Sequence, residues 1–328
     1  MTAHVVHRPV VARAPTRLDF GGGWTDVPPY SDEMGGAVCS AAIALYATAR
    51  VGEGDGTPTS TAGSGVATTP LIQAALRRAG LAPGDRVELE LKCDYPVGAG
   101  LGGSSAAGVA LTGALAAWRG AHLEPAELAE QSRNLEVEEL GIAGGRQDHY
   151  ASVLGGALKL TFGTGGQVAW QRLALTPSTR AAIEARCIVA YTGQARVSGT
   201  TISGVMDSYR SGDRRVLRSL DRLRALALSM SDALEGGDLD ALGELVGEHW
   251  SYQRALHPAI PTPRIDALLE AARSAGALGG KALGASGGGC ILVVAAAGRV
   301  DSVRQALARD ARLIPVRLDL DGFRLLND

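Results

Sequence analysis

The feature that most constrains this chain is a glycine-serine segment set between a strand and a helix. RVELELKC (86–93) alternates valine and leucine with charged residues, the period-two pattern of a half-buried strand. SAAGVALTGALAAW (105–118) is a run of small, helix-compatible residues that can pack closely against another element. Between them lies PVGAGLGGSSA (96–106). Glycines let a backbone approach an anion without side-chain collision, and a following helix offers unpaired N–H groups and a positive dipole end. An anion cradle is one reading; a tight turn capped by Ser104 or Ser105 is the other, and the loop alone does not separate them. Gly98, Gly100 and Gly103 also spell G-x-G-x-x-G, with Glu124 about 20 residues on, as in a dinucleotide site. Glu124, however, opens a helix that directly follows another helix, where a dinucleotide site needs the end of a second strand. The G-x-x-x-x-G-K-[ST] pattern of a Walker-type loop is absent.

Whatever anion binds must be caught locally. Lys plus Arg (32) and Asp plus Glu (34) leave a net charge of −2, which gives no general attraction to nucleic acid or an acidic membrane. The four cysteines (Cys39, Cys93, Cys187, Cys290) show no C-x-x-C pairing, so neither a zinc site nor a disulfide framework is expected. No stretch approaches the roughly 20 apolar residues of a membrane span, and MTAHVVHRPVV does not read as a leader. A cytoplasmic protein is the expectation.

At 328 residues the chain exceeds one usual compact core, and a two-domain α+β arrangement is expected, with the boundary near 180: residues 1–180 and 181–328. Strands are read at 10–15, 37–51, 86–93, 157–162, 186–193, 290–296 and 311–320, and helices after Ser104, from Glu124 to Gly141, and through most of the chain after 214. GEGDGTPTSTAGSG (52–65) reads as a flexible loop.

Two further glycine motifs stand out. GASGGGC (284–290) contains G-x-S-x-G around Ser286, but the last histidine of the chain is His257, so the histidine that a hydrolase places after its serine is missing. RLDFGGGWTDVPPY (17–30) gathers Arg17, Asp19, Trp24 and Asp26 at a strand end and glycine turn. Carboxylates beside an aromatic face suit sugar hydroxyls; an Asx-type turn is the plainer alternative.

Taken in order, RAPTRLDFGGGWTDVPPYSDEMGGAV, PVGAGLGGSSA, ELGIAGGRQDHYASVLGG, EHWSYQRAL and GGKALGASGGGC resemble the GHMP kinases, over nearly the whole chain and with most likeness to heptose 7-phosphate kinases. The resemblance implies an N-terminal domain like ribosomal protein S5 domain 2 and a ferredoxin-like C-terminal domain, with ATP and substrate between them. It implies a sugar kinase that phosphorylates the anomeric hydroxyl, with a heptose 7-phosphate as first-choice acceptor and a fucokinase-like reaction on an unphosphorylated sugar as the alternative. A catalytically silent sugar sensor on the same fold is the competing class.

By the same resemblance, Asp148 in GGRQDHY is the catalytic aspartate and Arg17 the basic residue near the base and the transferred phosphate. Gly98, Gly100, Gly102, Gly103, Ser104 and Ser105 hold the ATP phosphates, and Ser105 with Glu136 holds Mg²⁺. On sequence alone Glu136, Glu138 and Glu139 could equally form a solvated helix face. Asp19, Trp24, Asp26, His149, Arg196, Gly287 and Gly288 are the expected substrate residues. The implied partners are ATP and a sugar or sugar phosphate, with no nucleic acid, no membrane, and homodimerisation left open. GGGWTD departs from the GGGTD of heptose kinases by an inserted tryptophan and looks at least as much like the fucokinase motif. The segment from 51 to 86 also looks short for a heptose kinase.

Overall fold

The computed structural model describes residues 8–54, 59–60, 69–81, 85–194 and 199–326. In chain order the first half holds β1 (Val10–Gly21), α1 (Tyr30–Met34), β2 (Gly36–Glu53), β3 (Thr59–Ser60), α2 (Thr69–Arg78), β4 (Val87–Cys93), α3 (Gly103–Trp118) and α4 (Pro125–Asn134). A π-helical turn (Leu135–Glu139) extends α4, and α5 (Gln147–Leu154), β5 (Ala157–Gly163), β6 (Gln167–Arg172) and α6 (Pro177–Arg186) follow. The remainder holds β7 (Cys187–Tyr191), α7 (Gly199–Arg210), α8 (Arg214–Gly236), α9 (Leu239–Gln253), α10 (Pro263–Ser274), β8 (Ala277–Ala282), β9 (Cys290–Ala295), α11 (Val300–Ala308), β10 (Arg312–Ile314) and β11 (Arg324–Leu326). Among the described residues no helix is long and apolar enough to cross a membrane.

Two sheets organise these elements, a seven-stranded one around β2 and a four-stranded one in the order β10-β7-β9-β8. β2 is long enough to serve two antiparallel neighbours along one edge: Gly36–Ala41 pairs with β5 and Ala47–Glu53 with β4. The gap between them is filled by the chain's end, where Ala44 N–H donates to Arg317 O at 2.8 Å and Asp319 N–H to Ala42 O at 2.9 Å. β1 lies on the other edge of β2, and β11 closes the sheet beside β1.

The small side chains of α3 let it lie close against the sheet, and nearly its whole first three turns are buried. A second buried cluster joins Leu18, Phe20 and Cys39 of the large sheet to Cys187, Val189 and Leu292 of the small one and to Leu226 and Leu242 of α8 and α9. The two sheets are thus welded by one apolar layer, and the cleft opens at its margin. In the helical part, Asp213, Asp238 and Thr262 cap α8, α9 and α10 by accepting backbone N–H groups, as the side-chain chemistry of those residues favours.

Several elements, among them α2, α5, β6, α6 and α7, were not read from the sequence, and three segments differ for physical reasons that the structure makes plain. The strand expected over 311–320 stops at Ile314, because Pro315 has no N–H for the ladder, and the chain then crosses to the large sheet. β8 was hidden by its glycines. A Cβ at Gly279 would lie 2.0 Å from Gly243 O, so close packing by α9, not strand propensity, decides that position. Of the loop expected at 52–65, Thr59–Ser60 forms a short strand parallel to β4, while 55–58 and 61–65 lie outside the described residues.

The ring of Phe323, just ahead of β11, packs where a side chain at Gly113 of α3 would stand, 2.2 Å from that Cβ position. Gly113→Ala should therefore displace the ring and lower the thermal unfolding midpoint by several degrees in calorimetry, in line with an overpacking cost of about 1–3 kcal/mol. An unchanged midpoint would show that the closing segment does not depend on this contact.

Candidate active site

Arg17 sits near the end of β1 and is only 2% exposed. A buried guanidinium needs acceptors for its donors, and two groups take three of them. Nε and Nη2 each donate to Asp148 Oδ1 at 2.7 Å, and Nη1 donates to Gly100 O at 2.8 Å. The Arg17 backbone N–H also donates to Leu101 O at 3.0 Å. Asp148 lies in the first turn of α5, and a Cβ at Gly102 would stand 3.2 Å from its carboxyl carbon. Strand, glycine loop and α5 thereby meet at one ion pair, bringing together Arg17, Asp148, Gly100 and Gly102 as expected from the motifs.

The loop itself takes conformations that favour glycine, with φ of +70° at Gly98, +80° at Gly100 and +72° at Gly102. Beneath it lies the segment 284–290. Cys290 N–H donates to Ala99 O at 2.7 Å, and a Cβ at Gly100 would lie 2.6 Å from Leu283 O. Tyr95 O–H holds the other side by donating to Gly103 O at 2.6 Å. Gly287 and Gly288 depart from expectation. The Gly287 N–H donates to Ile260 O at 3.0 Å, and a Cβ at Gly288 would lie 2.8 Å from Gln194 O. Those two glycines serve backbone packing, and the cleft is lined by Gly284 and Ala285 in their place.

Glu136 belongs to the π-helical turn, an irregularity that turns it inward while Glu138 and Glu139 pair with Arg78 and Arg77 at the surface. Ser105 Oγ donates to Glu136 Oε2 at 3.2 Å, and His149 Nε2 lies 3.2 Å from the same oxygen. Burial pushes the Glu136 carboxyl upward in pKa, but the contact with His149 and the hydroxyls of Ser104 and Ser105 outweigh it and hold the group below its ordinary value. His149, expected against the sugar, therefore stands on the Glu136 side. Ser105 and Glu136 form a hard oxygen pair suited to Mg²⁺, which keeps waters and takes further ligands from phosphates. Among the described residues no group of three or more His, Cys, Asp or Glu side chains forms a metal cage.

The opposite wall comes from residues 19–26. Asp19 Oδ2 and Asp19 O both accept from the fully buried Lys281 Nζ, at 2.8 and 3.0 Å. Burial lowers the Lys281 pKa, and the charge of Asp19 opposes it. Asp26 Oδ2 accepts the N–H of Gln147, the first residue of α5, at 3.0 Å. His249, kept neutral by burial and by the Lys281 charge, accepts the Gly22 N–H at 2.9 Å. Trp24 is buried with φ of +86°, a strained conformation for a bulky side chain that costs on the order of 1–3 kcal/mol.

Asp19, Gly23, Trp24, Asp26 and Gln147 line one cleft of about 290 Å³ together with Arg17, Asp148, Glu136, His149 and the loop from Gly98 to Ser105. In its wall Asp19 Oδ1, Asp26 Oδ1, Gln147 Oε1 and Trp24 Nε1 are buried without a hydrogen-bond partner. Each such group costs about 1–3 kcal/mol when left unpaired. Arg196 lies outside the described residues. The sequence reading missed Lys281, Gln147 and Tyr95. Lys281 alone left a signal, as one of only three lysines against 29 arginines, placed in an otherwise apolar run.

The chain matches the family model for the GHMP kinases N terminal domain over residues 68–156 and that for the GHMP kinases C terminal over 216–312. It is 28% identical over 379 residues to the L-fucokinase/L-fucose-1-P guanylyltransferase of Bacteroides fragilis, covering 96% of this chain and 38% of that protein. It is 29% identical over 199 residues to the D-glycero-alpha-D-manno-heptose 7-phosphate kinase of Campylobacter jejuni, covering 60% of this chain and 57% of that protein. The chain thus spans well under two thirds of the length of either relative. A D-glycero-D-manno-heptose 1-phosphate kinase structure from Bacteroides thetaiotaomicron superposes with a TM-score of 0.79 at 24% identity, over 97% of this chain and 99% of that one, and shares the fold.

Burial, and after it the neighbouring charges of Asp148 and Asp19, push the Asp26 carboxyl from its ordinary 3.8 up to about 6, against the opposing hydrogen bond from Gln147. A raised carboxylate pKa means that the folded state prefers the proton, so this contribution is complete below 3.8 and is lost as pH rises through about 6. Asp26→Asn should therefore be more thermally stable than the parent at pH 7.5, by on the order of 3 kcal/mol, with the gap closing toward pH 4. A parent at least as stable as the variant at pH 7.5 would remove the charge penalty.

Proposed function

The chain belongs to the GHMP kinases, and from that premise we propose that it transfers the γ-phosphate of ATP to the anomeric hydroxyl of a sugar. The observation that carries this reading is the Arg17 fork, which ties the Asp148 carboxylate directly to the carbonyl of Gly100 in the glycine loop. Phosphoryl transfer asks mainly for in-line positioning and for stabilisation of charge, and a base fastened to the phosphate-binding loop meets the first demand.

In this reading the N–H groups from Gly98 to Ser105 and the N-terminus of α3 hold the phosphate chain. Leu71, Cys93, Tyr95 and Pro96, in the wall of the same cleft, offer an apolar surface to the base of the nucleotide. Asp148 accepts the proton of the attacking hydroxyl, and Arg17 keeps that carboxylate oriented and faces the charge that develops on the phosphoryl oxygens. Ser105 and Glu136 would hold Mg²⁺, which when bound neutralises charge on the β- and γ-phosphate oxygens. His149 fixes the orientation of Glu136.

Asp148→Asn retains the shape of the side chain and its place beside Arg17 while removing the proton acceptor. It should lower kcat by about 10²- to 10⁴-fold with ATP affinity within about twofold of the parent, measured by ADP release and by calorimetric titration of ATP. Near-normal turnover would take the base role from Asp148.

A further inference from the structure

Resting on the kinase reading above, the charge that an acceptor can carry is set by side chains which that reading leaves unused. A second phosphate on the acceptor would need a free guanidinium, an ammonium or an open helix N-terminus. Of the cations lining the cleft, Arg17 is engaged by Asp148 and Gly100 O, and His149 lies on Glu136. Arg146 lies between Glu130, at 3.3 Å, and Asp32, at 3.6 Å, while Arg133 reaches Gly144 O at 3.5 Å; neither lines the cleft. The start of α5 is closed to anions because the Asp26 carboxyl already occupies it. Among the described residues, no cation of the cleft is left for a distal phosphate.

The wall offers the reverse. Its unpartnered oxygens, Asp19 Oδ1, Asp26 Oδ1 and Gln147 Oε1, all accept hydrogen bonds, and hydroxyl groups can satisfy them whereas a phosphate dianion has no proton to give. Gly23 and Gly145 let these side chains crowd the backbone: a Cβ at Gly23 would lie 2.5 Å from Asp19 Oδ2 and 2.9 Å from Gln147 Nε2, and one at Gly145 would lie 1.9 Å from Asp26 Oδ2. Lys281 completes the arrangement. Reaching from β8 to β1, its ammonium occupies Oδ2 and the backbone oxygen of Asp19 and leaves Oδ1 unpaired. A compact ammonium on a flexible stem fits this enclosed spot, where the planar fork used elsewhere in this arginine-rich chain would not.

We propose that the cleft selects an acceptor that presents hydroxyl groups, and no second phosphate, to the wall of Asp19, Asp26 and Gln147, and that Lys281 is the positioning residue that holds Asp19 as an acceptor in it. A free sugar is then the substrate class, and its terminal phosphate ester is rejected because the wall meets it with acceptor oxygens and the Asp26 carboxylate, while among the described residues no cation of the cleft is free to receive it.

The test uses the full chain with two matched panels: free hexoses, 6-deoxyhexoses and heptoses, and the terminal phosphate monoesters of the same sugars. ADP release measures turnover, and calorimetric titration in the presence of a non-hydrolysable ATP analogue measures binding. The best free sugar should exceed its phosphate ester in kcat/KM by about 100-fold or more. Equal or preferred turnover of an ester overturns the proposal and leaves the kinase reading standing. If ATP binds and no sugar of either panel is phosphorylated, the kinase reading fails; the titrations then decide the selectivity alone, and tighter binding of an ester, or binding of neither class, overturns it. For the Asp19–Lys281 pair, the double variant Asp19→Asn/Lys281→Met removes both charges together and so avoids leaving one buried and unpaired. It should raise KM for the free sugar about tenfold or more with KM for ATP within twofold. An unchanged sugar KM in a folded double variant would reduce Lys281 to a structural role.

Discussion

The Arg17 guanidinium is the point on which the site depends. It is buried, and its charge is tolerable there because Asp148 and the Gly100 carbonyl take its donors from two directions. Those two partners come from different parts of the chain, so a single side chain fixes the distance between the loop and the first turn of α5. Loss of the arginine would leave Asp148 without its counter-charge and Gly100 O without a donor, which costs more than the pair itself contributes. The arginine thus performs a packing task and an electrostatic task with the same nitrogens.

Close approach explains why glycine recurs in three separate motifs. The segment 283–290 supports the loop at 98–103 through the hydrogen bond from Cys290 N–H to Ala99 O, and a Cβ at either Gly100 or Gly289 would collide with the backbone of the other segment. In residues 21–23, Gly22 lies in the same way against the backbone oxygen of Ala37, while Gly21 makes room for the Met230 side chain and Gly23 for the Asp19 carboxylate. At Gly100 and Gly289 the absence of a side chain lets the loop at 98–103 lie directly against the segment 283–290.

Much of this was legible in the residues. The strand before the loop and the helix after it follow from local pattern, and Arg17, Glu136 and Asp148, singled out by the motif resemblance, do converge in one cleft. What stayed hidden is tertiary. Lys281 and Asp19 are 262 residues apart in sequence, and neither neighbourhood contains a sign of the other. Asp26 reads as a sugar ligand or an Asx turn, and only the fold shows that its carboxyl also caps α5. His149 beside Asp148 reads as a pocket residue and does line the cleft, but successive residues of a helix point about 100° apart, and only the fold shows that this rotation sets it on Glu136. Gly287 and Gly288 fail for the complementary reason: glycine supplies no direction, so the motif could not say which of its members face the cleft.

These hidden contacts account for the cost the fold carries around the cleft. Trp24 holds a left-handed backbone conformation that a glycine would adopt without strain, and Asp26 keeps a carboxyl in surroundings that push it to about 6. Beside them lie oxygens with no partner. A chain selected only for stability would relieve all three with a glycine, an amide and a slightly looser wall. Their gathering in the wall of one cleft, across from the Arg17–Asp148 ion pair, is the distribution expected if the wall of residues 19–26 is completed by what binds there.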